Sequence, residues 1–205
     1  MKKLWAAICF VTLIVMMMAA PVLADGPVEN RAGRAELRFL EGMIDHHQMA
    51  LDMAADCLEK ASSESVSELC QNIIAAQSAE IEMMQGWLLE WYNVDYQPMA
   101  MRDMDDAMGG HSGHGMMGMP HQDPSMMMGM MAGLNRLEGV EYDVAWLEAM
   151  IDHHDDAIHM SERLLARVPG TVGHEALLTL AQQIIDDQSG EIADMEALIS
   201  ELAAA

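Results

Sequence analysis

Phe39-Leu40-Glu41-Gly42-Met43-Ile44-Asp45-His46-His47 returns 107 residues later as Trp146-Leu147-Glu148-Ala149-Met150-Ile151-Asp152-His153-His154. Apolar residues around the first copy recur at alternating spacings of three and four, giving the stripe Leu37, Leu40, Ile44, His47, Leu51, Ala54, Leu58. The second copy gives Val144, Leu147, Ile151, His154, Ile158, Ser161, Leu165, so each copy predicts a long amphipathic helix. The second histidine of each pair falls on a core position. An adjoining stripe, Phe39, Met43, His46, Ala50, Met53, Cys57 and its counterpart Trp146, Met150, His153, Ala157, Met160, Leu164, turns the first histidine inward too.

Further helical stripes follow each copy. One runs Val66, Cys70, Ile73, Gln77, Glu80, Met84, Trp87, Trp91, and the other Leu177, Ala181, Ile184, Gln188, Glu191, Met195, Leu198, Leu202. Folding the first hairpin back at Ala61 to Ser63 puts His47 level with Gln77 and Met43 level with Glu80. A buried imidazole without a hydrogen bond or a metal costs about 1 to 3 kcal/mol. A polar layer of His, Gln, Glu and Met across the middle of the bundle is therefore expected. Gln77, Glu80, Gln188 and Glu191 are the groups that would orient its rings.

Four long helices, about 31–60, 63–92, 137–167 and from about 173 to near the end, with two short hairpins and one long connection, predict an all-α fold. It is a ferritin-like four-helix bundle built from a duplicated helical hairpin, repeat one at 31–92 and repeat two at 137–203. Ser62 or Ser63 is the expected cap of the second helix. Pro169 and Gly170 break the chain before the last one.

At the start of the chain, Lys2 and Lys3 precede an apolar run from Leu4 to Leu23, and Val22-Leu23-Ala24 is a small-residue cleavage site. Residues 1–24 therefore read as a secretory signal peptide, leaving one domain, 25–205, in a periplasmic or otherwise exported protein without stable membrane insertion. About 181 residues suffice for one core. A net charge of −23 disfavours nucleic acid and anionic membranes. Cys57 and Cys70 each lie about two turns from the bend on inward stripes, within reach of a disulfide in an oxidising compartment; thiolate ligation of a metal is the alternative.

The connection, 93–136, has a different composition. Between Met99 and Met131 twelve of 33 residues are methionine, interleaved with glycine and three of the nine histidines. Its centre is His111-Ser112-Gly113-His114-Gly115-Met116-Met117-Gly118-Met119-Pro120-His121. The glycines and Pro120 oppose a packed helix there, whereas Met126 to Met131 suit a short one. Thioether and imidazole together select copper(I), with silver(I) as a mimic. The candidate ligands are His111, His114, Met116, Met117, Met119 and His121 in the connection, with Met43, His46, His47, Met49 and Met53 on the first helix and Met150, His153, His154 and Met160 on the third. His159 reads as an exposed ion-pair partner and His174 as structural.

Met43 to Ala54, followed by Ile73 to Met84, resembles the domain of unknown function 305 family, and within it exported copper-binding members of the CopM type. Trp146 to Met160 and Ile184 to Met195 repeat the resemblance, which covers nearly the whole chain after residue 24 apart from the connection. It implies a ferritin-like bundle that binds copper through Met and His, acting as a metallochaperone or buffer in copper resistance, with a copper efflux or acceptor protein as partner. One departure is that Asp155-Asp156 replaces Gln48-Met49, removing a soft ligand from the second copy. The rival functions are a metal-free interaction module with a hydrogen-bonded His layer, and a di-iron or di-copper oxidase. The oxidase lacks its Glu-x-x-His motif, since no Glu stands three residues before a helical His, so the protein is not expected to be an enzyme.

Overall fold

A computed structural model describes residues 31–98, 124–166 and 173–204 of the chain. These residues form α1 (Arg31–Lys60), α2 (Glu64–Tyr92), α3 (Pro124–Leu134), α4 (Gly139–Ala166) and α5 (Glu175–Ala204), with no strand among them. The four long helices were all expected; α3 extends the short helix expected at Met126 to Met131 to three turns. The segment expected to be a signal peptide, the Gly-His-Met tract, Pro169 and Gly170 lie outside the described residues.

α1 packs on α2 and α4 on α5, and the two hairpins meet where α1 crosses α4. Their interior is two apolar clusters. One gathers Met49, Met53, Cys57, Val66, Cys70 and Ile73 around Trp146, Leu147, Met150 and Met195. The other gathers Phe39, Leu40, Met43, Ile44, Ile81, Met84 and Leu88 with Leu164, Leu177, Leu180 and Ile184. Along α2 the first cluster ends at Ile73 and the second begins at Ile81; along α5 the corresponding break lies between Ile184 and Met195. Buried polar side chains fill that interval.

The hairpin bends are held by acidic residues from the opposite repeat. Ser63 occupies the N-cap of α2 in extended backbone, but makes no side-chain cap. Asp143, fully buried on α4, accepts hydrogen bonds from Ser62 N–H and Ser63 N–H at 2.9 Å and from the Ser62 hydroxyl at 2.6 Å. Glu36, buried on α1, does the same for the other bend, taking Gly173 N–H at 2.6 Å and His174 Nδ1 at 2.8 Å, together with the Tyr92 hydroxyl. Glu36 and Asp143 are themselves 107 positions apart, so the two caps are equivalents across the duplication. The serines thus supply donors, and the expected serine cap is replaced by a carboxylate from across the bundle. At its other end α2 stops at Asn93, whose left-handed backbone (φ 55°) lets the Asn93 and Val94 N–H groups close on Leu89 and Leu88 carbonyls.

Cys57 and Cys70 are joined in a disulfide with Cα atoms 6.4 Å apart. It ties α1 to α2 near their bend. Trp146, wholly buried, donates its indole N–H to the Met53 carbonyl at 2.9 Å, which ties α4 to α1.

Two expectations about individual core positions need correction. The α2 stripe passes through Ile81 and Leu88, not Glu80 and Trp87; Glu80 lies at the rim and Trp87 is half-buried against Trp91, with ring centroids 4.9 Å apart. Leu58 is 40 % exposed, because it lies in the last turn of α1 beside the bend, where the opposite hairpin covers the Cys57 side instead.

Candidate metal centre

All four histidines of the two copies are buried in the interval between the apolar clusters, and Gln77 and Gln188 are buried with them. His46 and His153, equivalent positions in the repeats, meet with ring centroids 3.7 Å apart and their planes tilted by 37°. That contact lies where α1 packs against α4. His47 and His154 stand to either side, 6.4 and 6.3 Å from their sequence neighbours.

The outer pair is anchored. His47 Nε2 is 2.5 Å from a Glu80 carboxylate oxygen, and His154 Nε2 is 2.7 Å from the equivalent oxygen of Glu191. Each contact needs a proton between nitrogen and oxygen, so Nε2 donates and, in the neutral ring, Nδ1 keeps a free lone pair. Both of these Nδ1 atoms are buried without a partner. The inner pair is less satisfied still: His46 Nδ1 and both nitrogens of His153 have none. Gln77 leaves both amide atoms unpaired and Gln188 its oxygen. Buried polar atoms in a native core are nearly always paired. These unpaired atoms are concentrated at one level of the bundle.

Electrostatics keep those nitrogens available. Burial, and then the neighbouring His153, His47 and His154 rings, push the His46 imidazole well below the ordinary range. Burial, then His154 and His47, do the same to His153. Both inner rings are therefore neutral, which is the protonation state that ligates metal.

Methionine sulfur flanks the layer on both sides. Met43 and Met84 belong to one apolar cluster, and their equivalents Met150 and Met195, with Met49 and Met53, to the other. Met160 packs beside Gly42, where a Cβ would stand 3.4 Å from its terminal methyl, so α1 and α4 approach closely at that glycine. Among the described residues no three or more His, Cys, Asp or Glu side chains are grouped to hold one metal ion. As the side chains stand, a site here draws on two imidazoles, or on imidazole with thioether.

The burial of all four histidines agrees with the stripes read from the sequence. One partner differs: His47 pairs with Glu80 instead of standing level with Gln77, since the bend is centred nearer Ser63 and the register shifts by about one turn. His159 is exposed, with Nδ1 2.7 Å from the Asp155 carbonyl, as an ion-pair partner should be. His174 is structural, stacked on Trp91 at 3.8 Å and bonded to Glu36. His111, His114, Met116, Met117, Met119 and His121 lie outside the described residues. Glu36 and Asp143 escaped notice, although their shared 107-residue offset was available as a signal.

No curated protein matches the chain significantly. Among solved structures, CopM in its Cu(II)-bound form is 28 % identical with a TM-score of 0.58, the match covering 87 % of this chain and 99 % of that one. CopM in its Cu(I)-bound form is 26 % identical, TM-score 0.58, covering 81 % and 96 %. A DUF305 protein from Streptomyces coelicolor is 26 % identical, TM-score 0.62, covering 82 % and 94 %. The match to the DUF305 model, a domain of unknown function, extends over residues 36–199 and takes in both histidine pairs, both glutamate partners and both capping carboxylates. The chain belongs to the DUF305 family.

Proposed function

We propose that this protein is an exported copper-binding protein, a metallochaperone or buffer in copper homeostasis, that holds Cu(I), and Ag(I) as its mimic, in the histidine layer. The observation that supports it is four buried imidazoles with His46 Nδ1, both His153 nitrogens and the Nδ1 atoms of His47 and His154 unpaired, flanked by fully buried methionines. The nitrogen donors are drawn, no more than two to an ion as the side chains stand, from His46, His153 and the Nδ1 atoms of His47 and His154. Met43 and Met150 supply sulfur from one turn earlier on each helix, and Met49, Met53 and Met160 extend the soft surroundings. Glu80 and Glu191 fix the outer rings, and Gln77 and Gln188 complete the layer. The His111, His114, Met116, Met117, Met119 and His121 tract forms a second, looser set that raises capacity. The copper-bound structures of CopM favour the same cargo. Residues 1–24 act as the signal peptide. Among the described residues no helix is long and apolar enough to cross a membrane. Metal is cargo here, and the protein catalyses no reaction on it.

The test is an anaerobic Cu(I) titration against a chromogenic chelator, with zinc and iron(II) in parallel. Tight copper uptake that falls in H46L/H153L supports the layer. Uptake unchanged in that variant moves all binding to the connection, and no uptake at all leaves the layer a hydrogen-bonded core feature.

A further inference from the structure

Outside the histidine layer, α2 and α5 bring acidic side chains toward each other. α2 and α5 contain no lysine or arginine at all. Glu80 and Glu191 reach this acidic seam with 19 % and 25 % of their side chains exposed, each holding one layer histidine. Asp187, one turn before Glu191, stands close enough to both for their charges to add to burial in raising its carboxyl above the usual range. Repulsion of this kind opposes folding and persists in native proteins where function needs the charge. Beneath the carboxylates lie two nearly fully buried amides, Gln77 with both amide atoms unpaired and Gln188 with its oxygen unpaired. Gln77 is one turn before Glu80, and Gln188 one turn before Glu191, each on the same helical face as its glutamate. His47 and His154 connect the two levels, with Nε2 on a seam carboxylate and Nδ1 buried without a partner.

We infer that this seam, Glu80, Asp187 and Glu191 over Gln77 and Gln188, is the mouth through which a hydrated copper or silver cation enters and leaves the histidine layer. The inference rests on the layer being the metal site. The carboxylates concentrate cations without chelating them, which agrees with the absence of a grouped three-donor set among the described residues. The amide oxygens then replace water as the ion moves inward, and the imidazoles, whose outer nitrogens are held by the same carboxylates, accept it. Asp187 has Ala76 at the equivalent position of the first repeat, so the mouth belongs to the fold's second half and is not a by-product of the duplication.

Loading is followed by stopped-flow quenching of tryptophan fluorescence with silver nitrate in chloride-free buffer, using the full chain. The phase belonging to the layer is the one absent from H46L/H153L. Asp187→Asn is compared with Glu196→Gln, which removes the same charge from an exposed site on the far face of α5. D187N is expected to slow that phase by about 3-fold or more at low ionic strength, to converge with wild type at high salt, and to leave the final silver stoichiometry unchanged. E196Q should track wild type. D187N should also raise the urea midpoint of the metal-free protein, because it removes the repulsion. Normal wild-type loading with D187N indistinguishable from E196Q overturns the mouth alone. A wild type that shows no layer phase overturns both the mouth and the proposed copper site.

Discussion

Acidification from pH 7.5 to 5.5 should destabilise the metal-free protein by an amount set by two side chains. His46 and His153 are fully buried, and their imidazoles lie well below 6.5 in the folded state. In the unfolded chain they protonate at the ordinary value. The unfolded state therefore binds more protons as pH falls below about 6.5, and the stability conferred by neutral burial, fully present above that value, is lost on the way down. At pH 5.5, one unit below the reference, each fully excluded proton amounts to about 1.4 kcal/mol, so the pair removes at most about 3 kcal/mol. Against a typical total of about 5 to 15 kcal/mol that is a large fraction. The raised imidazole of exposed His159, held by the Asp155 carbonyl, and the raised carboxyls of Glu41, Asp45 and Asp187 act in the opposite direction, taking up protons in the folded state first. Urea unfolding at a series of pH values, with the disulfide intact, measures the net effect. The same series on H46L/H153L removes the contribution of the buried pair and leaves His159 and the carboxylates. The reasoning is refuted if wild type is equally stable at both pH values, or if the double variant loses as much as wild type.

Other consequences follow from the same contacts. Asp143→Ala strips the acceptor from two backbone N–H groups and a hydroxyl at the α1–α2 bend, and should cost about 2 to 4 kcal/mol in urea unfolding, with Asp143→Asn recovering part of it. Reducing the Cys57–Cys70 bond, or replacing both residues by serine, should lower stability by about 3 kcal/mol from the entropy of the small loop it closes, visible as a lower midpoint with helical circular dichroism retained. Met43→Leu with Met150→Leu conserves core volume, so the midpoint should move by less than about 1.5 kcal/mol while Cu(I) affinity falls in chelator competition. Unchanged affinity would mean that the imidazoles bind copper without sulfur. Deleting residues 99–131 should lower metal capacity and leave the helicity of the two hairpins intact.

The long helices were legible because their apolar stripes persist through several turns, and the histidine layer was legible because both histidines of each copy fall on those stripes. What the stripes do not specify is how far one helix slides along its neighbour. That depends on the bend, and the bend depends on Asp143 and Glu36, which act from the opposite repeat and leave no local signature. Hence Gln77 was expected level with His47, where the chain places Glu80. The difference is one turn, yet it changes a neutral partner into a carboxylate that fixes the ring's tautomer. The ring contact of His46 with His153 was out of reach for a similar reason. Duplication predicts equivalent residues, and only the crossing of α1 with α4 decides which equivalents touch. Leu58 shows the limit of the pattern at a helix end, where an apolar position has no neighbour to cover it.

The account depends most on copper residing among the buried imidazoles. X-ray absorption of the full chain loaded anaerobically with one equivalent of Cu(I) tests this directly, because nitrogen and sulfur neighbours scatter differently. A mixed shell of imidazole nitrogen and thioether sulfur, with the nitrogen component lost in H46L/H153L, is the predicted result. A shell of sulfur alone, unchanged in that variant, would contradict it and place the ion on the methionines of the connection.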